Sequence, residues 1–292
     1  MTLPALVDAA IRESPDLAPL RPVIEKELLH YDILQALDQT GLLDKLTFRG
    51  GTSLRLCHGA PRFSEDLDFA GGPAFASGDI AGMAEVIESV ITQRQKLEVR
   101  VKPPSAAPGA GPSPTVTVSR WQVIVTTAPA RPDLPRQRVR LEIANVPAYS
   151  GQLRPLRRNY TALPDGYEDI LVPVETVSEV LCDKLISAVA SKAPRHRDWW
   201  DLPWLQQQGA ELNPEWLAAK IRDYGIADYP SAVDRCLGEL PGVIRSADFT
   251  RQMSRFLPPA VIRRTLQQRR FLDYLVETNA QLLKAARSEA GR

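Results

Sequence analysis

The sequence predicts an α/β domain over residues 1–172, followed by a helical domain over residues 173–292. Short segments with apolar residues at every second position alternate with helical segments in the first part of the chain. From about residue 175 onward, only helical periodicity remains. Because α/β domains are built from such alternating elements, we expect the sheet to lie in the first domain.

The elements of the first domain follow from local patterns. Residues 22–40 place apolar side chains on one helical stripe, with a proline near the start and Gly41 as the cap. KLTFRGG predicts a strand that runs into a double glycine, TSLRLCHG the helix that follows, and SEDLDFA the next strand. Residues 79–95 predict a helix with Asp79 at its N-cap.

Three more strands and the helices of the second domain complete the order. The segments LEVRVKP, VTVSRWQVIVTT and RQRVRLEIANV alternate and predict strands. Residues 103–115 are rich in proline, glycine, alanine and serine, which predicts a flexible loop. VETVSEVLCDKLISAVASK, PEWLAAKIRDY and residues 258–288 predict helices.

The composition is typical of a soluble globular protein, with 44% hydrophobic residues, 24% charged residues and a formal net charge of +1. No segment has the roughly 18 uninterrupted apolar residues of a membrane span, and the first residues lack the pattern of a signal peptide. The three cysteines are scattered, which excludes a disulfide framework and a zinc pattern. We therefore expect a cytoplasmic protein with no membrane partner.

One stretch carries the chemistry: RGGTSLRLCHGAPRFSEDLDF, residues 49–69. Asp66 and Asp68 lie two residues apart on a predicted strand, so both carboxylates share a face and suit a hard cation, which prefers oxygen ligands. Gly50 and Gly51 lie where a strand turns into a helix, and their bare backbone N–H groups suit a phosphate. Each feature alone is usually a turn, but together they indicate phosphoryl or nucleotidyl transfer.

The motif F-R-G-G-T-S-L followed by R-F-S-E-D-L-D-F resembles the signature of the AbiEii-type nucleotidyl transferase toxins of type IV toxin–antitoxin systems. This family belongs to the DNA polymerase β-like nucleotidyltransferase superfamily. The 14 residues between Gly51 and Asp66 are a spacing usual for the AbiEii-type branch. The resemblance implies a nucleotidyltransferase core with a small mixed sheet flanked by helices, followed by a C-terminal helical domain in a bilobed chain.

The second domain adds to the resemblance. In VLCDKLISAVASKAPRHRDWWDLPWL, the family's helical lysine and its R-D-x-x-D-L segment match Lys184, Arg197, Asp198 and Asp201. An arginine often found midway between the lysine and this segment is replaced by Ser191-Lys192, and Arg195 is a candidate substitute.

The resemblance implies a role for each matched residue. Asp66 and Asp68 would hold Mg²⁺ or Mn²⁺, and the substrate would be a nucleoside triphosphate. Lys184 would contact the triphosphate, and Asp198 would orient Lys184 and Arg197 or position the acceptor hydroxyl. The residues implied to bind the nucleotide are Gly50, Gly51, Thr52, Ser64 and Arg197.

A third metal-facing carboxylate is usual in the superfamily, and Glu142 in VRLEIANV is the candidate. The alternative is that Glu142 pairs with Arg138 or Arg140 on a solvent face, and the sequence does not decide between the two. It also leaves open whether Asp201 takes part in the site.

Other residues favour structural roles. His196 is more simply a loop residue than a base, and Glu65 faces away from the aspartates. Trp199, Trp200 and Trp204 resemble a stacking platform for bases, but at helical spacing they favour a core position.

Two tracts are basic. Residues 131–158 contain seven arginines, and the stretch from residue 245 onward contains ten lysines or arginines but only four acidic residues. Such surfaces suit RNA or are simply solvated. The resemblance implies transfer of a nucleoside monophosphate to RNA, most simply the tRNA 3′ end, and a separate antitoxin protein. The alternatives are a nucleotidyltransferase that modifies a small molecule or a protein, and a non-catalytic nucleotide-binding sensor.

Overall fold

The structure, a computed structural model, describes residues 1–104, 109–110, 116–131 and 133–290, with the backbone alone at 109–110. Most of the predicted loop 103–115 lies outside the described residues. The chain forms two compact units. The first comprises the described residues of Met1–Ala110 and Thr117–Val174, and the second those of Gly111–Val116 and Glu175–Arg292.

Eight strands form one mixed sheet in the described part of the chain. They are β1 (Thr47–Arg49), β2 (Leu67–Ala70), β3 (Val99–Lys102), β4 (Gly109–Ala110), β5 (Thr117–Val125), β6 (Gln137–Ala144), β7 (Gly151–Pro155) and β8 (Leu171–Glu175). Their order is β3-β5-β6-β2-β1-β8-β7, with β4 paired to β5. β2 is antiparallel to β1 and parallel to β6, and β1 is parallel to β8. The prediction of an α/β fold with a mixed sheet is confirmed.

The helices follow the same chain order. They are α1 (Leu3–Glu13), α2 (Arg21–Gln39), α3 (Gly50–Ser53), α4 (Met83–Gln95), α5 (Val177–Ala190), α6 (His196–Gln207), α7 (Pro214–Asp223), α8 (Tyr229–Ile244), α9 (Ala247–Ser254), α10 (Pro259–Arg264) and α11 (Arg269–Ala290). Gly41 follows α2 with a φ of +66°, as expected of a helix cap. No helix among the described residues has the length and apolar character that crossing a membrane requires.

Helices cover one face of the sheet in the first unit. α2 packs against α1, α4 and β6, and α4 also packs against β3. On that face, β6 contributes Val139, Leu141 and Ile143, all of them fully buried. The same alternation leaves Arg138 and Arg140 exposed on the other face.

The second unit is helical. α5 packs against α6, α7 and α8, while α11 packs against α6, α7 and α8. Its core includes Leu181, Leu185, Leu202 and Leu283. This packing buries the apolar stripes that the sequence periodicity predicts.

Two local predictions were wrong. Helix α4 begins at Met83 rather than Asp79, because Gly82 precedes it in a left-handed conformation with φ of +86°. Asp79 belongs instead to a short 3₁₀ turn, where its carboxylate accepts from the Ala76 backbone N–H. The predicted helix over residues 258–288 is two helices, α10 and α11.

Candidate active site

Asp66 and Asp68 lie at the start of β2, in the middle of the sheet. Asp66 immediately precedes the strand and Asp68 is its second residue. Leu67 and Phe69 point the other way and are buried, whereas both aspartates remain partly exposed. The alternation predicted from the sequence therefore places both carboxylates on the open face of the sheet.

The glycine pair lies directly against Asp68. β1 and β2 pair Arg49 with Asp68, so the chain enters Gly50 and α3 beside that carboxylate. Gly50 has a φ of +75°, and a Cβ atom added there would lie 2.8 Å from Asp68 Oδ2. Only glycine fits this position, since both the backbone conformation and the space exclude a side chain.

The hydroxyl groups after the glycines are used within the protein. Thr52 Oγ1 donates to the Asp66 backbone carbonyl, and Ser53 Oγ donates to the Gly50 carbonyl at 2.9 Å. Thr52 is buried. Its hydroxyl thus joins the start of α3 to the residue that opens β2, and so holds Asp66 next to the glycines.

Gly51 faces Ser64 and a residue that the sequence interpretation missed. A Cβ atom on Gly51 would lie 2.5 Å from Arg62 Nη2 and 2.9 Å from Ser64 Oγ. Arg62 is buried, and its Nη1 donates to the Phe63 carbonyl at 2.9 Å. A buried guanidinium beside a bare backbone is a feature that suits an anion. Arg62 is the first residue of the motif R-F-S-E-D-L-D-F, and this position in the motif was the only feature of the sequence that could have indicated a role for it.

Glu142 lies in register beside Asp68, because β2 and β6 run parallel and pair these two residues. Its carboxylate accepts from Arg120 Nε on β5 at 3.1 Å. The alternative partners considered for it were Arg138 and Arg140, and neither is the partner found. Arg140 instead binds Asp66, with Nη2 to Oδ2 at 2.9 Å and Nε to Oδ1 at 3.2 Å. The hydrogen bond and the charge of Asp66 raise the pKa of Arg140.

The donor set suits a hard divalent cation that is shared with a substrate. Asp66, Asp68 and Glu142 offer only oxygen ligands from one face of the sheet. Across the described ranges, no three or more His, Cys, Asp or Glu side chains converge closely enough to hold a metal ion. Mg²⁺ is commonly held by one or two carboxylates together with substrate phosphates, so two aspartates fit that pattern.

In the second unit, Lys184 on α5 is held between two carboxylates of α6. Its Nζ donates to Asp198 Oδ1 at 2.6 Å and lies 2.9 Å from Asp201 Oδ2. Asp198 also accepts from Arg195 Nε at 3.2 Å. Burial by itself would raise the pKa of Asp198, but the charges of Lys184 and Arg195 outweigh it and hold that pKa well below its ordinary value. The carboxylate is therefore ionised.

The other residues singled out from the sequence of the second unit lie on α6. Arg197 stacks its guanidinium over the Phe256 ring at 5.2 Å. His196 is the first residue of α6 rather than a loop residue, and its Nε2 lies 3.0 Å from Asp248 Oδ2. Trp199 and Trp200 are buried, as a core position predicts, whereas Trp204 is half-buried.

Glu65 has the structural role that the sequence favours. Lys26 Nζ donates to Glu65 Oε1 at 2.6 Å. The Glu65 carbonyl accepts from His30 Nε2 at 3.0 Å, and His30 is fully buried in α2. Two side chains of α2 thus anchor the residue that directly precedes Asp66.

The sequence profile of the nucleotidyl transferase AbiEii toxin family of type IV toxin–antitoxin systems matches residues 32–278. A search among curated proteins found no significant match.

Among solved structures, the chain is similar to MenT4, a nucleotidyltransferase toxin from Mycobacterium tuberculosis H37Rv, with a TM-score of 0.59 and 17% identity over 99% of this chain and 93% of that one. It also matches JHP933 from Helicobacter pylori, with a TM-score of 0.46 and 18% identity over 92% of this chain and 93% of that one. At these identities, the likeness to MenT4 is a likeness of fold.

Proposed function

This chain belongs to the family of AbiEii nucleotidyl transferase toxins, and from that premise we propose that it transfers a nucleoside monophosphate from a nucleoside triphosphate to RNA, most simply to the 3′ end of tRNA. A nucleotide added there would block aminoacylation and so halt translation. The reaction needs triphosphates and RNA, so we place it in the cytoplasm.

The contact between Gly50 and Asp68 carries the proposal. The bare backbone of Gly50 lies beside the carboxylate of Asp68. Transfer from a triphosphate requires such a backbone next to a carboxylate that would hold the metal. Gly50 and Gly51 would direct backbone N–H groups at the triphosphate. Ser64 and Arg62 border the same glycine pair and would contact the same phosphates.

Asp66 and Asp68 would hold the divalent cation, Mg²⁺ or Mn²⁺. When bound, the cation supplies positive charge against the triphosphate oxygens. Thr52 would act through Asp66, because its hydroxyl fixes the Asp66 backbone. Glu142 lies in register beside Asp68 and would accept the proton of the attacking hydroxyl. That oxygen forms a bond to the α-phosphorus, and the bond to pyrophosphate breaks.

Roles in the second unit rest on the family resemblance and on contacts within that unit. Lys184 would offer its ammonium group to the triphosphate. Asp198 and Asp201 hold this ammonium group in place. Arg195 contacts Asp198 and would take the place of the arginine that the family often has nearby. Arg197 would contribute to nucleotide binding.

The type IV toxin–antitoxin family implies an antitoxin partner. We propose that this antitoxin is a separate cytoplasmic protein encoded with the toxin. Growth arrest by the toxin alone, relieved by its partner, would serve defence against phage and control of growth.

Incubation of the pure protein with total RNA and each of four α-labelled triphosphates in Mg²⁺ tests the proposal. We expect label in RNA of tRNA size with the native chain, and label that is weaker by roughly 10²-fold or more with Asp68→Asn. Parallel reactions with total protein and with small-molecule extracts test the alternatives, in which the acceptor is a protein or a small molecule. Label in either of those fractions alone, or triphosphate binding with no transfer at all, contradicts the proposal.

A further inference from the structure

The open face of the sheet carries an ordered array of charges beside the two aspartates. Residues that oppose each other in paired strands share a face. From β3 through β5 to β6, the register therefore sets out rows on the face of Asp68. The rows are Arg100–Ile124–Arg138, Lys102–Gln122–Arg140 and, beyond the end of β3, Arg120–Glu142 followed by Asp68 on β2.

Four cations in this array form what we call the cationic strip: Arg100 and Lys102 on β3, and Arg138 and Arg140 on β6. Between the two pairs runs β5, which contributes only neutral side chains to these rows. Because neighbouring strands lie about 4.8 Å apart, the two lines of charge are separated by roughly 10 Å. The strip follows the strands, and its next row contains Glu142 and Asp68.

Three of the four cations of the strip lack an acidic partner among the described residues, whereas Arg140 binds Asp66. Arg100, Lys102 and Arg138 are exposed, and none of them forms an ion pair with another residue in the part of the chain that the structure describes. Some other arginines of the same unit do have acidic partners, as Arg131 has Asp133 and Arg158 has Asp165. Like charges gathered on one face of a sheet are unfavourable. A ligand of opposite charge would remove that repulsion.

We propose that the cationic strip binds the phosphate backbone of the RNA acceptor as a single strand and leads its reacting end to Asp68. This assignment rests on the proposed function and adds the surface that holds the acceptor. A positively charged track that follows the backbone is the usual means of binding single-stranded nucleic acid. Successive rows are about 6.6 Å apart along the strands, so the charges repeat along the path as phosphates do.

The neutral floor of the strip fits this partner. Gln122 is half-buried and Ile124 is buried, so β5 adds no charge between the two lines of cations in these rows. An acidic protein segment is the other partner that four cations would accept. RNA is favoured because the strip ends at the carboxylates that would act on an RNA hydroxyl.

The test compares two triple variants that remove equal charge from the first unit. The strip variant is Arg100→Gln/Lys102→Gln/Arg138→Gln, which leaves Arg140 and both aspartates in place. The control replaces Arg12, Lys45 and Lys96 with glutamine, three exposed cations outside the open sheet face. Binding of fluorescein-labelled oligouridylate is measured by anisotropy over a salt series, without triphosphate. Binding of labelled polyglutamate is measured in the same way.

We expect the strip variant to bind oligouridylate at least about tenfold more weakly than the control variant. Three lost phosphate contacts should also lower the slope of log K against log salt by about 2. An unchanged affinity and slope for the strip variant, with nucleotide transfer to RNA intact in the native chain, overturns the strip and leaves the proposed function standing. If the strip variant loses binding of polyglutamate but binds oligouridylate as the control does, an acidic protein segment and not RNA is the partner. If the native chain labels no RNA, the proposed function fails and the acceptor role with it.

Discussion

The guanidinium of Arg140 binds the carboxylate of Asp66 through two hydrogen bonds, at 2.9 Å and 3.2 Å. Under the proposed function the same two oxygens would bind a divalent cation, so Arg140 and the metal would compete for Asp66. We expect Arg140→Gln to tighten binding of Mn²⁺ in the absence of nucleotide by about two- to fivefold, the worth of a partly exposed ion pair.

Electron paramagnetic resonance of free Mn²⁺ measures this affinity directly. Arg138→Gln is the matched control, because it removes the same charge from the same strand face without touching Asp66. Equal affinities in the two variants would show that Arg140 acts only through its general charge.

Replacing Asp68 with asparagine should lower nucleotide transfer by roughly 10²-fold or more, since a neutral amide holds a divalent cation poorly. Glu65→Gln is the control, because Glu65 faces Lys26 and not the cation. Circular dichroism and the urea midpoint should match the native protein for Asp68→Asn. A comparable loss of transfer in Glu65→Gln would mean that the local fold, rather than the carboxylate at position 68, limits the reaction.

Gly50→Ala should destabilise the first unit more than Gly72→Ala does. Both glycines have positive φ, of +75° and +85°, so both substitutions carry about 1–2 kcal/mol of backbone strain. At Gly72 the added methyl meets no described atom within 4 Å, whereas at Gly50 it lies 2.8 Å from Asp68 Oδ2. Urea unfolding should therefore show an extra loss of about 1–3 kcal/mol for Gly50→Ala. Equal losses would contradict the close approach of Gly50 to Asp68.

The pH dependence of stability should carry the signature of His30. Burial lowers the pKa of His30 from 6.5 to about 4, because the charged ring would lose its hydration. The stability that this neutral histidine contributes is present above pH 6.5 and is lost as the pH falls toward 4. The full loss is about 3 kcal/mol. Chemical unfolding across this range should give a flatter profile for His30→Gln, and parallel profiles would contradict the depressed pKa.

Asp198 should also contribute less stability in acid, but at a lower pH than His30. Lys184 and Arg195 hold its pKa below the ordinary value, so its contribution to stability is present above pH ~4 and is lost only as the pH falls further. At neutral pH, Asp198→Asn should cost about 3 kcal/mol, because Lys184 loses one partner of a buried pair. The gap between variant and native stability should narrow below pH ~4. A gap that is independent of pH would show that the loss comes from packing.

The shared face of Asp66 and Asp68 was predictable from the sequence. The reason is that side chains alternate between the two faces of any strand, whichever strands it pairs with. The register of Asp68 with Glu142 was not predictable. β2 and β6 are distant along the chain, and nothing local states which strands pair. For the same reason, the partner of Glu142 was wrongly sought on its own strand, and the partner found is Arg120 on β5.

Strands β7 and β8 were missed for different reasons. β7, GQLRP, has no buried residue and so no alternation to detect. β8, LVPVE, contains a proline, which weakens any strand prediction from the sequence. Arg62 was overlooked because a buried arginine has the same appearance in a sequence as an exposed one.

The aspartates project from a central strand whose reverse side is packed with helices, and no long loop is needed to assemble them. Amide protons at this position should then exchange only when the whole domain opens, since β2 is hydrogen-bonded on both sides. Opening that exposes or displaces the two aspartates should therefore require loss of the sheet itself, and not the movement of a single loop.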